Sequence, residues 1–159
     1  MMPFLEISKR LELNDEVYSL SDQDFLACIA AGLCGPLAIS VVQWRTPIGA
    51  KMPGLLESGI RYSREARDTW SDIFGTYNRG RFDCEDGSTG HAAEGRVRLS
   101  HPWRTVYVSR VHDKLVHVFQ GDGRGSYFDI SAERGMVIPE GIDLAAIHRR
   151  GVPCPLPSF

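Results

Sequence analysis

The sequence predicts an α+β domain in which a helix carrying a cysteine packs on an antiparallel sheet. Three observations lead there. Asp83-Cys84-Glu85-Asp86 has the composition of a loop turning into a helix: Asp83 suits the N-cap, and Asp86 complements the positive end of the helix dipole. Leu115 to Phe119 alternates apolar with polar-capable residues, and His117 stands between two valines as in a strand. Gly121-Asp122-Gly123-Arg124-Gly125 then reads as a turn, and Tyr127-Phe128-Asp129-Ile130 as the returning strand.

The bounds of the chain agree. At 159 residues it is long enough for one domain with a real core and short for two. A hydrophobic content of 43% and a charged content of 24% are ordinary globular values. A net charge of -2 gives no electrostatic reason to expect nucleic acid or an anionic membrane as partner. Cys28, Cys34, Cys84 and Cys154 are scattered, without a Cys-x-x-Cys pair. They form neither a disulfide framework nor a zinc pattern, which favours a reducing compartment. No basic-then-apolar leader and no membrane-length run is read, so a soluble chain without an export signal is expected.

Taken in order, Met1 to Leu20 is mixed, and Phe4, Leu5, Ile7, Leu11 and Leu13 suit a short strand or a docking arm. Ser21 is a good N-cap with Asp24 three residues on, and Phe25, Leu26, Ile29 and Leu33 follow at helical spacing. Gly35-Pro36 is expected to end that helix, and Leu37 to Trp44, apolar and β-branched, to form a buried strand. Thr46 to Gly54 has linker composition. Leu55 to Tyr62 allows a short extended piece. Thr69 to Asn78 reads as a helix capped by Asp68 or Thr69, with Trp70, Ile73, Phe74 and Tyr77 sharing a core face.

The next helix runs from Cys84 towards Arg96. Gly87, Gly90 and Gly95 each weaken it by about 1 kcal/mol relative to alanine, so either backbones pack closely there or the helix is short. Val106-Tyr107-Val108 and Leu115 to Phe119 are strands joined around His112-Asp113-Lys114, and His101 is a loop residue. Ile142 to Arg150 suits a short helix, and Gly151 to Phe159 an extended proline-rich tail. The division expected is a helix/strand extension or assembly arm over 1–50, a core over 51–140, and a tail over 141–159.

The chemistry gathers at Cys84. In the first turn of a helix, unpaired N–H groups favour thiolate over thiol, but three neighbouring carboxylates push the other way. Such a cysteine needs a base. A hairpin that sets Asp129 beside His117 supplies one, with Cys84 as nucleophile, His117 as base and Asp129 as the orienting carboxylate. His91 shares a face with Cys84 and Ser88, yet two helical turns put it about 10 Å away. It is read as a surface or packing histidine. No metal-ligand spacing joins these histidines to Cys84, and no metal or other cofactor is expected.

Read as a whole, this stretch resembles the transglutaminase-like branch of the papain-like cysteine hydrolases, and most closely a small phage-encoded group. Gly80 and Asp83 to Asp86 match the family's Gly-x-x-Asp-Cys-Glu-Asp turn, and Ala92-Ala93-Glu94 with Arg96 match its helix. His117 matches the base, Asp129 and Ser131 the Asp-Pro-Ser corner with Ile130 in place of proline, and Gly135-Met136 the closing pair. Ser58-Gly59-Ile60-Arg61-Tyr62, Glu65 and Trp70-Ser71-Asp72-Ile73 resemble the lead-in, so the likeness covers roughly Pro53 to Met136.

The resemblance implies the papain-like fold and a hydrolase or acyl transferase acting on peptide or isopeptide bonds. It implies a protein or peptide substrate and a phage setting, in host cytoplasm or associated with the virion. The alternative is a non-catalytic virion or assembly protein that keeps the fold and meets other phage structural proteins through its N-terminal arm and C-terminal tail. An arm of that kind could also cover the site.

Overall fold

The computed structural model describes residues 4–6, 10–13, 16–19, 21–64, 70–112 and 115–156. Ile7, Glu65, Asp68, Thr69, Asp113, Lys114, Pro157 and Phe159, which carry some of the expectations above, lie outside the described residues.

Three short strands come first: β1 (Leu5–Glu6), β2 (Arg10–Leu13) and β3 (Glu16–Ser19), the last two paired with each other. Ser21 caps α1 (Asp22–Gly32) as its sequence requires, accepting the Asp24 N–H at 3.2 Å. Phe25, Leu26 and Ile29 face inward.

The expected strand from Leu37 to Trp44 is instead helix α2 (Cys34–Arg45), which follows α1 after a turn at Leu33. Gly35-Pro36 does not break it, because Pro36 stands in the first turn, where an N–H has no intrahelical partner to lose. The buried set Leu37, Ser40, Val41 and Trp44 has helical spacing, and Ser40 interrupts the apolar run that looked like a strand. By length and hydropathy the stretch Asp22–Arg45 also qualifies as a membrane-crossing helix, with a mean hydropathy of 2.3 in its best window. The expectation that no such run exists is therefore corrected, although one side of both helices is buried in the core.

The expected linker also holds a helix, α3 (Pro47–Lys51). Thr46 caps it by accepting the Gly49 N–H at 3.0 Å, and proline opens it. β4 (Arg61–Tyr62) runs parallel to β5 (Arg81–Phe82), and between them α4 (Ile73–Arg79) is capped by Asp72, not by the residues expected. Then come α5 (Cys84–Arg98), the strands β6 (Thr105–His112), β7 (Leu115–Gly121) and β8 (Tyr127–Phe128), the helices α6 (Ile130–Glu133) and α7 (Leu144–Arg149), and β9 (Val152–Pro153).

The main sheet has the order β1-β7-β6-β9, and β8 shares the β1 edge of β7. Its pairs are antiparallel, so the architecture is mixed α+β. One hydrophobic cluster draws on residues from Phe25 to Cys154. Helix α5 lies at its centre, between α2 and β7, and every residue from Cys84 to Arg96 is buried. Its glycines mark close approach: a Cβ at Gly87 would meet the Phe82 ring, one at Gly90 the Ile73 side chain, and one at Gly95 the His101 ring. Close packing, not a short helix, explains them.

Candidate active site

Cys84 opens α5 and has no exposed surface. Asp83 holds the N-cap position with extended backbone, but its side chain makes no cap hydrogen bond, contrary to expectation. Asp83, Glu85 and Asp86 form one buried group, each with an oxygen within 4.8 Å of the others. Burial and the neighbouring carboxylates push the Glu85 carboxyl well above its usual range. They push Asp86 up to about 7, although it accepts from the Ser71 N–H at 2.8 Å and from Arg79 at 2.6 Å.

The thiol of Cys84 feels the same surroundings. Burial first, then Glu85 and Asp83, push it well above its usual range, against a hydrogen bond from the Val118 backbone. In this closed arrangement Cys84 is a thiol, with Sγ 3.8 Å from Glu85 Oε2.

His117 lies on β7, fully buried, with Nε2 2.6 Å from Asp129 Oδ2. Here the two residues expected to pair are brought together. Strand β8 stops at Phe128, and Asp129 becomes the N-cap of α6, its Oδ1 accepting the Ala132 N–H at 3.3 Å. One oxygen thus holds a helix and the other an imidazole. With Nε2–H donating to a carboxylate, the His117 lone pair falls on Nδ1, a buried atom without a hydrogen-bond partner. No hydrogen bond joins that nitrogen to Cys84, whose Sγ–H is directed at Glu85 Oε2 instead. Helix α5 is tied to β7 beside it, since Ser88 Oγ donates to Val118 O at 3.1 Å.

Two further side chains meet the pair, His148 without any sequence signal and Phe4 from the expected arm. His148, on α7, sets its own Nε2 3.0 Å from Asp129 Oδ2, so two imidazoles share one carboxylate oxygen. Burial alone would raise the Asp129 carboxyl, but His117 and then His148 hold it well below the usual range. Phe4 stacks edge-on over the His117 ring, with centroids 5.1 Å apart, and is itself fully buried. The pairing of Leu5 with Val116 on β7 carries Phe4 towards His117. Burial first, and then the nearby Cys84, push the phenol of Tyr62 on β4 above its usual range.

His91 is a packing residue, as one reading of its position allowed. It bonds to Gln120 and stacks on His101 at 3.9 Å, and burial holds it down to about 3. His91, Glu94 and His101 are near enough to share an ion, as are His117, Asp129 and His148. In the first group the two rings are tilted by only 20°, so their in-plane lone pairs run alongside each other and do not converge. In the second, the contacts at 2.6 and 3.0 Å have hydrogen-bond lengths. A cavity of about 460 Å³ opens elsewhere, between Asp22, Leu26, Arg110 and Arg150, and is not lined by Cys84, His117 or Asp129.

No family model, curated protein or solved structure matches the chain.

Proposed function

We propose that this chain is a cysteine hydrolase or acyl transferase with the transglutaminase-like, papain-like fold, acting on peptide or isopeptide bonds through Cys84, His117 and Asp129. The observation that carries the reading is the His117–Asp129 bond with its opposite ring nitrogen unpartnered, on the strand to which Ser88 of α5 is bonded. In the reaction Nδ1 takes the thiol proton and Sγ attacks the carbonyl carbon. The Cys84 N–H, free at the helix start, donates to the oxyanion. His117 then returns the proton to the leaving amine, and a thioester remains. Water resolves it as hydrolysis, or a second amine as transfer. Asp129 holds the imidazole throughout. The resemblance that motivates this reading implies a phage or host protein, or a cell-wall peptide, as substrate, in host cytoplasm or at the virion.

Because Cys84 and His117 have no exposed surface, the described arrangement is closed, and substrate must displace part of the cover. The test is the pH dependence of Cys84 alkylation by iodoacetamide, read by peptide mapping in the wild type and in His117→Ala. Labelling proceeds from the opened site, where the burial that raises the thiol is relieved; it is expected to titrate below about pH 8.5 and to disappear in the variant. An ordinary thiol profile, unchanged by the substitution, would overturn the reading.

Two observations favour the alternative, a non-catalytic virion or assembly component. The pair is covered, and the outer side of α2 and α3 exposes Ile39, Val42 and Ile48 at 50%, 62% and 69%. Arm and tail would then meet other phage structural proteins. Cys84→Ala separates the two: an assembly component still enters and supports particles, whereas an enzyme loses its phenotype.

A further inference from the structure

Two cysteines outside the triad stand against each other. Cys34 opens α2 and Cys154 follows β9, 120 residues later, with their Sγ atoms 2.8 Å apart. A disulfide needs about 2.05 Å between the sulfurs, so roughly 0.8 Å of approach separates this contact from a covalent bond. Neither partner is placed by the other alone. The Cys154 N–H donates to Val106 O at 2.7 Å next to the β9–β6 pairing, and the Leu37 N–H, in the turn that carries Cys34, donates to Leu33 O at 3.2 Å. Arg96 reaches out from α5, donates to Leu156 O at 3.3 Å, and brings its cation near both sulfurs. Burial and then the Cys34 contact push the Cys154 thiol up to about 12; the Arg96 cation pulls the other way without outweighing them, so exchange runs through a small thiolate fraction.

We propose that Cys34 and Cys154 are a dithiol–disulfide site, oxidised by exchange with a small-molecule disulfide, whose closure clips the C-terminal segment to the helical layer. Cys34 is half-buried and Cys154 only 5% exposed, so Cys34 meets the reagent first. Its thiolate attacks one sulfur of the reagent, forming a mixed disulfide and expelling one thiolate. The Cys154 thiolate then attacks Cys34 Sγ and expels the second. Two cysteines are oxidised, one disulfide is reduced to two thiols, and the cysteine protons leave with them. Closure also fixes the segment just upstream, where α7 carries His148 to Asp129. The inference does not depend on the enzyme reading.

The test is incubation of the full chain with oxidised glutathione, followed by a non-reduced digest and thermal unfolding. One peptide pair joining Cys34 to Cys154 is expected, with no glutathione retained on either. The melting temperature should rise by roughly 5 °C or more, and dithiothreitol should reverse it. Cys154→Ser should leave glutathione on Cys34, Cys34→Ser should leave the buried Cys154 unmodified, and both should remove the rise. Exposed Cys28 reports that the reagent reached the protein. Recovery of Cys34 and Cys154 as separate thiols or separate adducts, with Cys28 modified, would overturn the proposal.

Discussion

Asp129 serves two structures with two oxygens, capping α6 with Oδ1 and accepting two imidazoles with Oδ2. Asp129→Ala should therefore cost more than a lost cap, about 2–4 kcal/mol in all, because two ring N–H groups lose their acceptor in a buried setting. Urea unfolding measures it, and a loss under about 1 kcal/mol would show that the rings find other partners. The acidic cluster makes a pH-dependent prediction. Asp86 titrates near 7 when folded and near 3.8 otherwise, so between those values the folded chain keeps a proton that the unfolded chain has released. Its contribution to stability falls as the pH rises through that window. Buried His91 acts oppositely, favouring unfolding as the pH falls from 6.5 towards about 3. Comparison with a variant separates the two. Asp83→Asn removes one repelling charge and should stabilise more at pH 8 than at pH 4, by about 1 kcal/mol. Equal gains at both pH values would mean that the carboxylates do not titrate together.

At the scale of elements, α5 is unusual in having no exposed face over its first thirteen residues, Cys84 to Arg96, and its glycines follow from that. Gly87→Ala should destabilise by about 1–3 kcal/mol through overpacking against Phe82, despite the better helix propensity of alanine. Gly35→Ala, on an exposed turn of α2 with open space around it, should instead stabilise by about 0.5 kcal/mol. Thermal unfolding of the pair decides whether packing or propensity governs each site. Phe4, just before β1, covers the His117 ring. Phe4→Ala removes a fully buried ring over His117 and should raise the rate of Cys84 alkylation by about tenfold or more. An unchanged rate would mean that other elements supply the cover.

Over the whole molecule, the N-terminal helices and the Cys84 helix share one core. Trp44 links them, since its Nε1–H donates to Gly90 O at 3.0 Å while the Arg98 guanidinium lies 4.3 Å over its ring. Trp44→Phe keeps most of the apolar bulk, removes the donor and should cost about 2 kcal/mol. If both layers unfold in one transition that shifts to lower urea, the helical layer is part of the folding unit. A separate early transition would make it an appendage.

Taken by itself, the sequence determined the start of α5 at Cys84, the β7-turn-β8 hairpin and the meeting of His117 with Asp129. These rest on the composition of a helix start, alternation and a glycine turn, signals carried by residues close in the chain. The same local reasoning misread Leu37 to Trp44, because an apolar run reads alike as strand or buried helix until the packing partner is known. Tertiary structure alone decided the rest: that burial dominates at the Cys84 thiol, the second imidazole on Asp129, the seating of Phe4 on the His117 ring and the Cys34–Cys154 contact. Burial, desolvation and approach between distant segments arise only when the chain closes on itself, and no window of neighbouring residues encodes them.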